Sequence, residues 1–230
     1  GSGESGGRYR GGMHDYYRWR IERNDTVEFA DGRYLTDVWT EEAVDFITRH
    51  REEPFFLHLT YNAPHTPLQA PEDEIAPFRK SGSFNEGVST LYGMIHRMDT
   101  GIGRVLEKLD ELGLTEDTIV FFSSDNGPQF GGQGEQKLDR FNCNFHGAKG
   151  TTYEGGIRVP MMLRWPSGLP TGVECSDMVH FTDWYPTFLE LLGLELPERQ
   201  LPIDGRSIVP VLRGEPSDEN PVRCWQWNRY

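Results

Sequence analysis

Residues 118–127 read Thr-Ile-Val-Phe-Phe-Ser-Ser-Asp-Asn-Gly, five β-branched or aromatic residues running straight into a polar turn. A short run that is apolar on both faces suits an inner strand of a covered sheet. The Asp-Asn-Gly that follows suits a loop at the carboxyl end of that strand. Upstream, Phe55-Phe56-Leu57-His58-Leu59-Thr60 has the same character. It runs into Asn62-Ala63-Pro64-His65-Thr66-Pro67, where two prolines exclude both helix and ladder. Between these segments Leu91, Ile95, Met98, Ile102, Val105, Leu109 and Leu112 recur at steps of four and three. That stripe predicts a helix over 88–112, stopped by Gly113. Two strand–loop units joined by a crossover helix predict a parallel βαβ arrangement. Gly101 and Gly103, unfavourable inside a helix, make sense if the helix backbone approaches the sheet closely.

The pattern extends outward. Thr36 can cap a helix over 37–50, with Asp37, Glu41 and Glu42 near its start and Arg49, His50 and Arg51 at its end. Residues 127–150 are polar and glycine-rich, and a loop of that length in a compact domain is functional or mobile. Val159 to Trp165 reads as a strand. Thr182 or Asp183 caps a short helix with Pro186 in its first turn and Gly193 after its end. Cys224-Trp225-Gln226-Trp227-Asn228 alternates like a strand. Residues 1–12 hold six glycines and read as loop or tail. Residue 1 is Gly rather than Met, which suggests a processed or truncated chain.

Composition narrows the function. The chain of 230 residues carries 23 basic and 36 acidic side chains, a net charge of −13. Such a surface repels phosphate backbones and disfavours nucleic acid as a partner. No window of about 18 apolar residues offers a membrane span. Cys143, Cys175 and Cys224 are odd in number and widely spaced, which argues against a disulfide framework or a structural zinc site. Arg18, Arg20 and Arg23 form either a solvated face or a contact for an anionic substrate.

Three loops can carry chemistry. In open α/β sheets ligands sit beyond the carboxyl ends of strands, where His65 and the Asp125-Asn126 pair are expected. Asp125 and Asn126 offer hard oxygen donors that suit calcium or magnesium better than zinc, although Asp-Asn-Gly is also a common turn. His65 lies between two prolines. A stiff loop can place an imidazole that donates a proton to a leaving oxygen or hydrogen-bonds an anion, and it equally allows a histidine satisfied by local backbone. Lys149, flanked closely by Gly147 and Gly150, is a compact charge for an oxyanion or a surface lysine. Glu154-Gly155-Gly156-Ile157-Arg158 reads as a tight glycine turn with Glu154 and Arg158 paired.

Taken together these segments resemble a known family. Pro64-His65-Thr66-Pro67, the helix with Met-Asp-Thr-Gly-Ile-Gly-Arg-Val-Leu at 98–106, Ser-Asp-Asn-Gly at 124–127, and Gly-Ala-Lys-Gly-Thr-Thr-Tyr-Glu-Gly-Gly-Ile-Arg-Val-Pro at 147–160 follow one another. So do Phe-Thr-Asp-Trp-Tyr-Pro-Thr-Phe-Leu-Glu-Leu-Leu-Gly at 181–193 and Ile-Asp-Gly-Arg-Ser-Ile at 203–208. In this order they resemble the type I, formylglycine-dependent sulfatases of the alkaline phosphatase superfamily, over residues 33–213. The resemblance implies an α/β fold of three α/β/α layers with a mostly parallel central sheet, incomplete at both ends. It implies a sulfuric ester hydrolase in which a formylglycine attacks sulfur and one calcium ion steadies the sulfate. Asp125 and Asn126 would be two of the calcium ligands. Lys149 would contact the sulfate oxygens, and His65 would hold the sulfate or help protonate the leaving oxygen.

The sequence departs from the family pattern in what the family carries upstream, including its early Lys and His. No Cys or Ser here stands in the C/S-x-P-x-R motif from which formylglycine is made, and the family's early acidic calcium ligands are absent. The chain is therefore expected to be the central-to-C-terminal part of a sulfatase, inactive alone. Residues 1–32 would be a flexible or substrate-loop segment, 33–213 the C-terminal part of the catalytic domain, and 214–230 the start of a further subdomain. The expected substrate is a small-molecule or glycan sulfate ester, read by residues 8–33 and 128–146, with Tyr16, Tyr17 and Trp19 stacking on a sulfated sugar. Family resemblance points to a periplasmic, extracellular or lysosomal location. Two alternatives stand: a phosphodiesterase or phosphonate hydrolase of the same superfamily, whose two-zinc members would show Ser-Asp-His-Gly where this chain has Asn126, and a non-catalytic relative that binds glycans or a partner.

Overall fold

The structure is a computed structural model that describes residues 15–197, 201–215 and 222–226. It mixes helices and strands in an α/β arrangement. A hairpin comes first, β1 (Arg20–Arg23) antiparallel to β2 (Thr26–Phe29). Three helices follow: α1 (Leu35–Arg49), α2 (Glu72–Lys80) and the long α3 (Glu86–Glu111). Then come β3 (Val120–Ser123), the short α4 (Glu154–Ile157) and β4 (Met161–Arg164). Helices α5 (Trp184–Leu191) and α6 (Val209–Leu212) complete the described residues.

The helix readings hold, with small shifts. Helix α1 begins slightly earlier than expected: Tyr34 is its N-cap, and Thr36 is buried inside, its carbonyl accepting from Thr40 Oγ1 at 2.9 Å. Helix α3 starts at an Asn85 cap whose side chain accepts from Val88 N at 2.9 Å. It ends as read from Gly113, which takes φ 69° while Leu114 N reaches back to Leu109 O at 2.8 Å. The same closure recurs after α5, with Gly193 at φ 63° and Leu194 N on Leu189 O at 2.8 Å.

The parallel unit does not appear among the described residues. Strand β3 pairs antiparallel with β4, Phe121 opposite Leu163. Residues 55–60 have no ladder partner among the described residues. Phe55, Leu57 and Leu59 are half-buried, with Phe55 edge-on to Phe46 of α1, while Phe56 on the other face is 84% exposed. A run apolar on both faces becomes an inner strand only when both faces are covered, and α1 covers one. The strand expected at 224–228 is absent over 222–226, and residues 227 and 228 lie outside the described residues.

Close helix packing explains one of the two helical glycines. A methyl on Gly101 would collide with Thr40 Oγ1 and lie 3.1 Å from Tyr61 Oη, so α3 presses on α1 and its following loop rather than on a sheet. Gly103 faces open space. An ion network ties the three helices together. Arg97 of α3 donates from Nε and Nη2 to both oxygens of Asp37 of α1, at 2.7 and 2.8 Å, and from Nη1 to Glu74 of α2 at 3.2 Å.

Two apolar cores result. The larger one joins Tyr16, Trp19 and Ile21 to Leu35, Val38 and Met94. The smaller one sets Trp184, Ile208 and Val211 against Phe121, Leu163 and Phe188. It also explains two of the sequence motifs. Buried Asp183 accepts from His180 N at 2.8 Å and from Arg206 N at 3.0 Å, and its carboxylate contacts Arg223. A methyl on Gly205 would collide with Thr182 O. The Phe-Thr-Asp and Asp-Gly-Arg segments are therefore two sides of one joint.

Residues 15–32 are not a loose segment. Tyr16 is 0% and Trp19 3% exposed, so neither can stack on a sugar, and Tyr17 at 36% is the one of the three that reaches solvent. A large aromatic ring removes much apolar surface from water, and these two pack in one cluster with Leu35 and Val38 of α1 and Met94 of α3. Arg23 is held by Glu28 and Glu42, and Arg18 contacts Asp15, which fits the solvated-face reading of this arginine run.

Candidate active site

Strand β3 delivers Ser124-Asp125-Asn126-Gly127 into a bed of backbone. Gly127 N donates to Gly156 O at 2.9 Å. A methyl on Gly127 would collide with Gly155 O, one on Gly155 with Gly147 O, and one on Gly156 with Thr151 O. Gly155 N donates to His146 O at 2.8 Å, and Lys149 N donates to Pro128 O at 2.9 Å. Three stretches of chain, 124–128, 146–151 and 153–157, thus lie backbone to backbone with no room for side chains between them. Glycine is required here by close approach. At Gly147 a positive φ of 87° adds a second reason, and at Gly150 the same φ is itself the reason.

This packing brings Asp125, Asn126 and Lys149 into one unit. Asp125 and Lys149 are exposed and Asn126 is half-buried. Asn126 Nδ2 contacts Asp125 Oδ1, so the two side chains converge. The pair Lys149 and Asp125 therefore sets a cation and a carboxylate on loops locked to each other. Thr151 closes the lysine turn: its hydroxyl donates to Ala148 O at 2.8 Å. Glu154 and Arg158 pair at 3.2 Å as read from the sequence, and Arg158 also lies over the Phe145 ring at 4.9 Å.

Two adjacent oxygen donors suit a hard divalent cation, and they fill only part of the six to eight positions that calcium takes. Among the described residues, no cluster of three or more His, Cys, Asp or Glu side chains could hold a metal. The donor set fits a share of a calcium shell and not a whole one. Cys143, Cys175 and Cys224 are all free and exposed.

His65 is held by a different framework. Its own N–H donates to Asn62 O at 2.9 Å, closing a turn that contains Pro64. Trp39 Nε1 of α1 donates to Asn62 Oδ1 at 2.8 Å. Tyr16 Oη donates to His65 O at 2.8 Å, and Tyr16 N donates to Gln69 Oε1 at 2.8 Å. Tyr34 Oη donates to Gln69 O at 2.7 Å. Burial pushes the Tyr16 and Tyr34 phenols well above the usual tyrosine range, so both remain neutral donors. The imidazole is exposed. Its Nδ1 lies 2.8 Å from Thr66 O. A carbonyl oxygen only accepts, so that contact puts a hydrogen on Nδ1 and leaves Nε2 for a ligand.

Sequence reasoning misses the residues that do the holding. Tyr16, read there as touching substrate, instead fixes the His65 backbone. Trp39 carries no signal beyond an apolar helix face. The glycine pair 155–156 is legible as a tight turn, but not as the floor under Asp125.

Comparison with known proteins follows the same lines. The sulfatase family model matches residues 4–194. Mouse steryl-sulfatase is 39% identical over 185 residues, 79% of this chain and 28% of that protein. The uncharacterized sulfatase YdeN of Escherichia coli K12 is 34% identical over 203 residues, 84% of this chain and 33% of that protein. Among solved structures, that of Ps i-CgsB in complex with k-i-k-neocarrahexaose is 36% identical with a TM-score of 0.74, covering 85% of this chain and 42% of that one. The chain spans about a third of the length of these curated relatives.

Proposed function

This chain belongs to the sulfatase family, and on that premise we propose that the whole protein hydrolyses sulfate esters at the S–O bond, with a sulfated carbohydrate as substrate. The observation that carries this reading is the backbone-locked unit presenting Asp125, Asn126 and Lys149. Asp125 and Asn126 would hold a calcium ion, which when bound supplies positive charge to the sulfate. The formylglycine nucleophile of this reading belongs to a motif that these residues do not contain.

The chain's own residues then divide the work. The Lys149 ammonium lies against sulfate oxygens and offsets charge there more in the transition state than in the ground state. His65 donates from Nε2 to the ester oxygen as the S–O bond breaks and its electron pair passes to that oxygen. With Nδ1 already carrying a hydrogen, donation from Nε2 requires the cationic ring, so this role operates where the imidazole is protonated. For this to work, the His65 loop and the Asp125 loop must meet across the substrate. A carbohydrate substrate is supported by the likeness to Ps i-CgsB, whose structure holds k-i-k-neocarrahexaose. Phe141, 72% exposed on the loop that leads to Lys149, takes over the stacking role from the buried Tyr16 and Trp19.

The test uses the whole protein. Lys149→Ala should lower kcat/KM roughly 10²–10³-fold on both nitrophenyl sulfate and a sugar sulfate, with the melting temperature unchanged. His65→Ala should cost far more on the sugar sulfate, whose alkoxide leaves poorly, than on the aryl ester. Equal losses on the two substrates would reject the acid role. Full activity in Lys149→Ala would reject the site.

A further inference from the structure

Four arginines of this chain are each held by two carboxylates. Arg23 reaches Glu28 and Glu42, Arg33 reaches Asp31 and Glu41, Arg79 reaches Glu72 and Glu86, and Arg97 reaches Asp37 and Glu74. With 36 acidic side chains against 23 basic ones, partners are in excess. Arg140 is placed differently. It is half-buried, and its Nε is shut from solvent with no hydrogen-bond partner. No ion pair reaches it among the described residues. Burial pushes its guanidinium below the ordinary arginine value, with the Tyr92 hydroxyl acting weakly against that. A guanidinium stays charged in any protein, and taking it from water without acceptors is unfavourable. Among the described residues Arg140 has no carboxylate against it, so its guanidinium is open to an acceptor from outside.

The place of Arg140 is well defined. Before it, Leu138 is buried and bridged to Gly131, and Asn85 at the start of α3 donates to Lys137 O at 2.8 Å. After it, the chain reverses through Cys143 and Asn144, at φ 59° and 58°, with Phe145 N on Asn142 O at 3.2 Å. Asn142 Nδ2 braces the turn by donating to Phe145 O at 2.8 Å. The chain then enters His146–Lys149. Arg140 is thus fixed to α3 on one side and to the lysine loop on the other. It stands nine residues before Lys149 on the same connection.

We propose that Arg140 binds a second anionic group of the substrate, a sulfate or a carboxylate separate from the ester being cleaved. The proposal rests on the reading of the Lys149 loop as the sulfate-ester site and names the substrate class more narrowly: a sugar carrying at least two negative charges. The planar guanidinium donates two parallel hydrogen bonds from Nη1 and Nη2, the nitrogens not shut from solvent, to either oxyanion, which gives orientation as well as attraction. Such a contact holds the organic part of the substrate and is made in ground state and transition state alike, so its loss is read in KM.

The experiment compares three substrates in the whole protein: a monosulfated disaccharide, the same sugar with a second sulfate, and one with a uronate carboxylate. Wild type should favour one of the doubly charged sugars. Arg140→Ala should reduce that preference, the ratio of kcat/KM values, by about tenfold through KM, and Arg140→Lys should restore part of it. The sulfate and uronate arms tell which oxyanion is read. An unchanged ratio overturns the proposal, as does a lowered melting temperature with no change in ratio, which would mark a partner within the protein itself. Titration calorimetry separates this from the ester reading. The disulfated disaccharide should bind Lys149→Ala protein and lose that binding in Lys149→Ala/Arg140→Ala. Binding that survives both changes, or is absent from the single variant, overturns the role of Arg140. Failure of wild type to cleave any of the three sugars overturns the ester reading alone.

Discussion

Side chains hold the loop of His65, whereas backbone holds the loops of Asp125, Asn126 and Lys149. Around His65 the fixing atoms are an indole nitrogen, two phenols and an amide, reaching in from Trp39, Tyr16, Tyr34 and Gln69. Around Asp125 they are peptide groups of Gly127, Gly155, Gly156 and Pro128. The two designs fail differently. A side-chain framework loses one hydrogen bond at a time, each worth about 1 kcal/mol net. The backbone framework depends on side chains only at its margins, where Thr151 and Asn142 brace the lysine loop, and it cannot accept a new side chain. Its sensitivity is to gain of volume.

The largest effect should come from adding one carbon to the backbone-held half. Gly155→Ala puts a methyl into Gly147 O, and the neighbour is backbone that cannot swing aside. We expect a loss of about 1–3 kcal/mol of stability and a shift of the lysine loop that costs roughly 10²-fold in kcat/KM. Thermal melting followed by circular dichroism and a sulfate-ester assay measure both. A variant that melts and turns over like wild type would show that the loops are not locked.

Next is the ion network under the side-chain-held half. Arg97→Ala leaves the Asp37 and Glu74 carboxylates without their shared partner in a partly buried setting. Denaturant unfolding should show a loss of about 2 kcal/mol, with the midpoint moved and the slope kept. Because the pairs span all three helices, a loss below a few tenths of a kcal/mol would mean that apolar packing alone sets their arrangement.

Tyr16→Phe is a finer probe. It keeps the ring in the core and removes the donor to His65 O. Stability should fall by about 1 kcal/mol, and kcat on an alkyl sulfate should fall more than KM changes, because His65 is misplaced rather than removed. Nitrophenyl sulfate, which needs less help at the leaving oxygen, should be hardly affected. Parallel losses on the two substrates would make Tyr16 merely structural.

The smallest effect is a gain. Gly103 sits inside α3, and a methyl added there would meet nothing within 4 Å. Gly103→Ala should stabilise by about 0.5–1 kcal/mol through the unfolded chain and helix propensity. Gly101→Ala, one half-turn away, should destabilise because Thr40 and Tyr61 already occupy its space. Melting temperatures moving in opposite directions would separate a propensity effect from a packing one.

Several features are legible without any structure. The steps of three and four over Leu91–Leu112 define α3, and Gly113 marks its end, because both depend on neighbours within five residues. The order of Pro-His-Thr-Pro, Asp-Asn-Gly and Gly-Ala-Lys-Gly carries the family, which the comparisons bear out. The strand pairing is not legible, because apolar runs show that a strand wants cover, not which strand covers it. Phe55 to Thr60 has the composition of an inner strand and is covered on one face.

What the sequence determined by itself is local: the helices α1, α3 and α5, the glycine ends of α3 and α5, and the residue types at Asp125, Asn126, Lys149 and His65. Tertiary structure decided which groups serve those residues. Tyr16 meets His65 across 49 positions and Gln69 across 53, and no periodicity encodes a contact at that range. The same holds for the arginines. Residue type makes Arg97 and Arg140 equal, and only packing sets one between two carboxylates and leaves the other dry and without a partner among the described residues. A hydrogen bond or an ion pair depends on where two atoms lie in space, and chain distance constrains that position only over a helical turn or a tight loop.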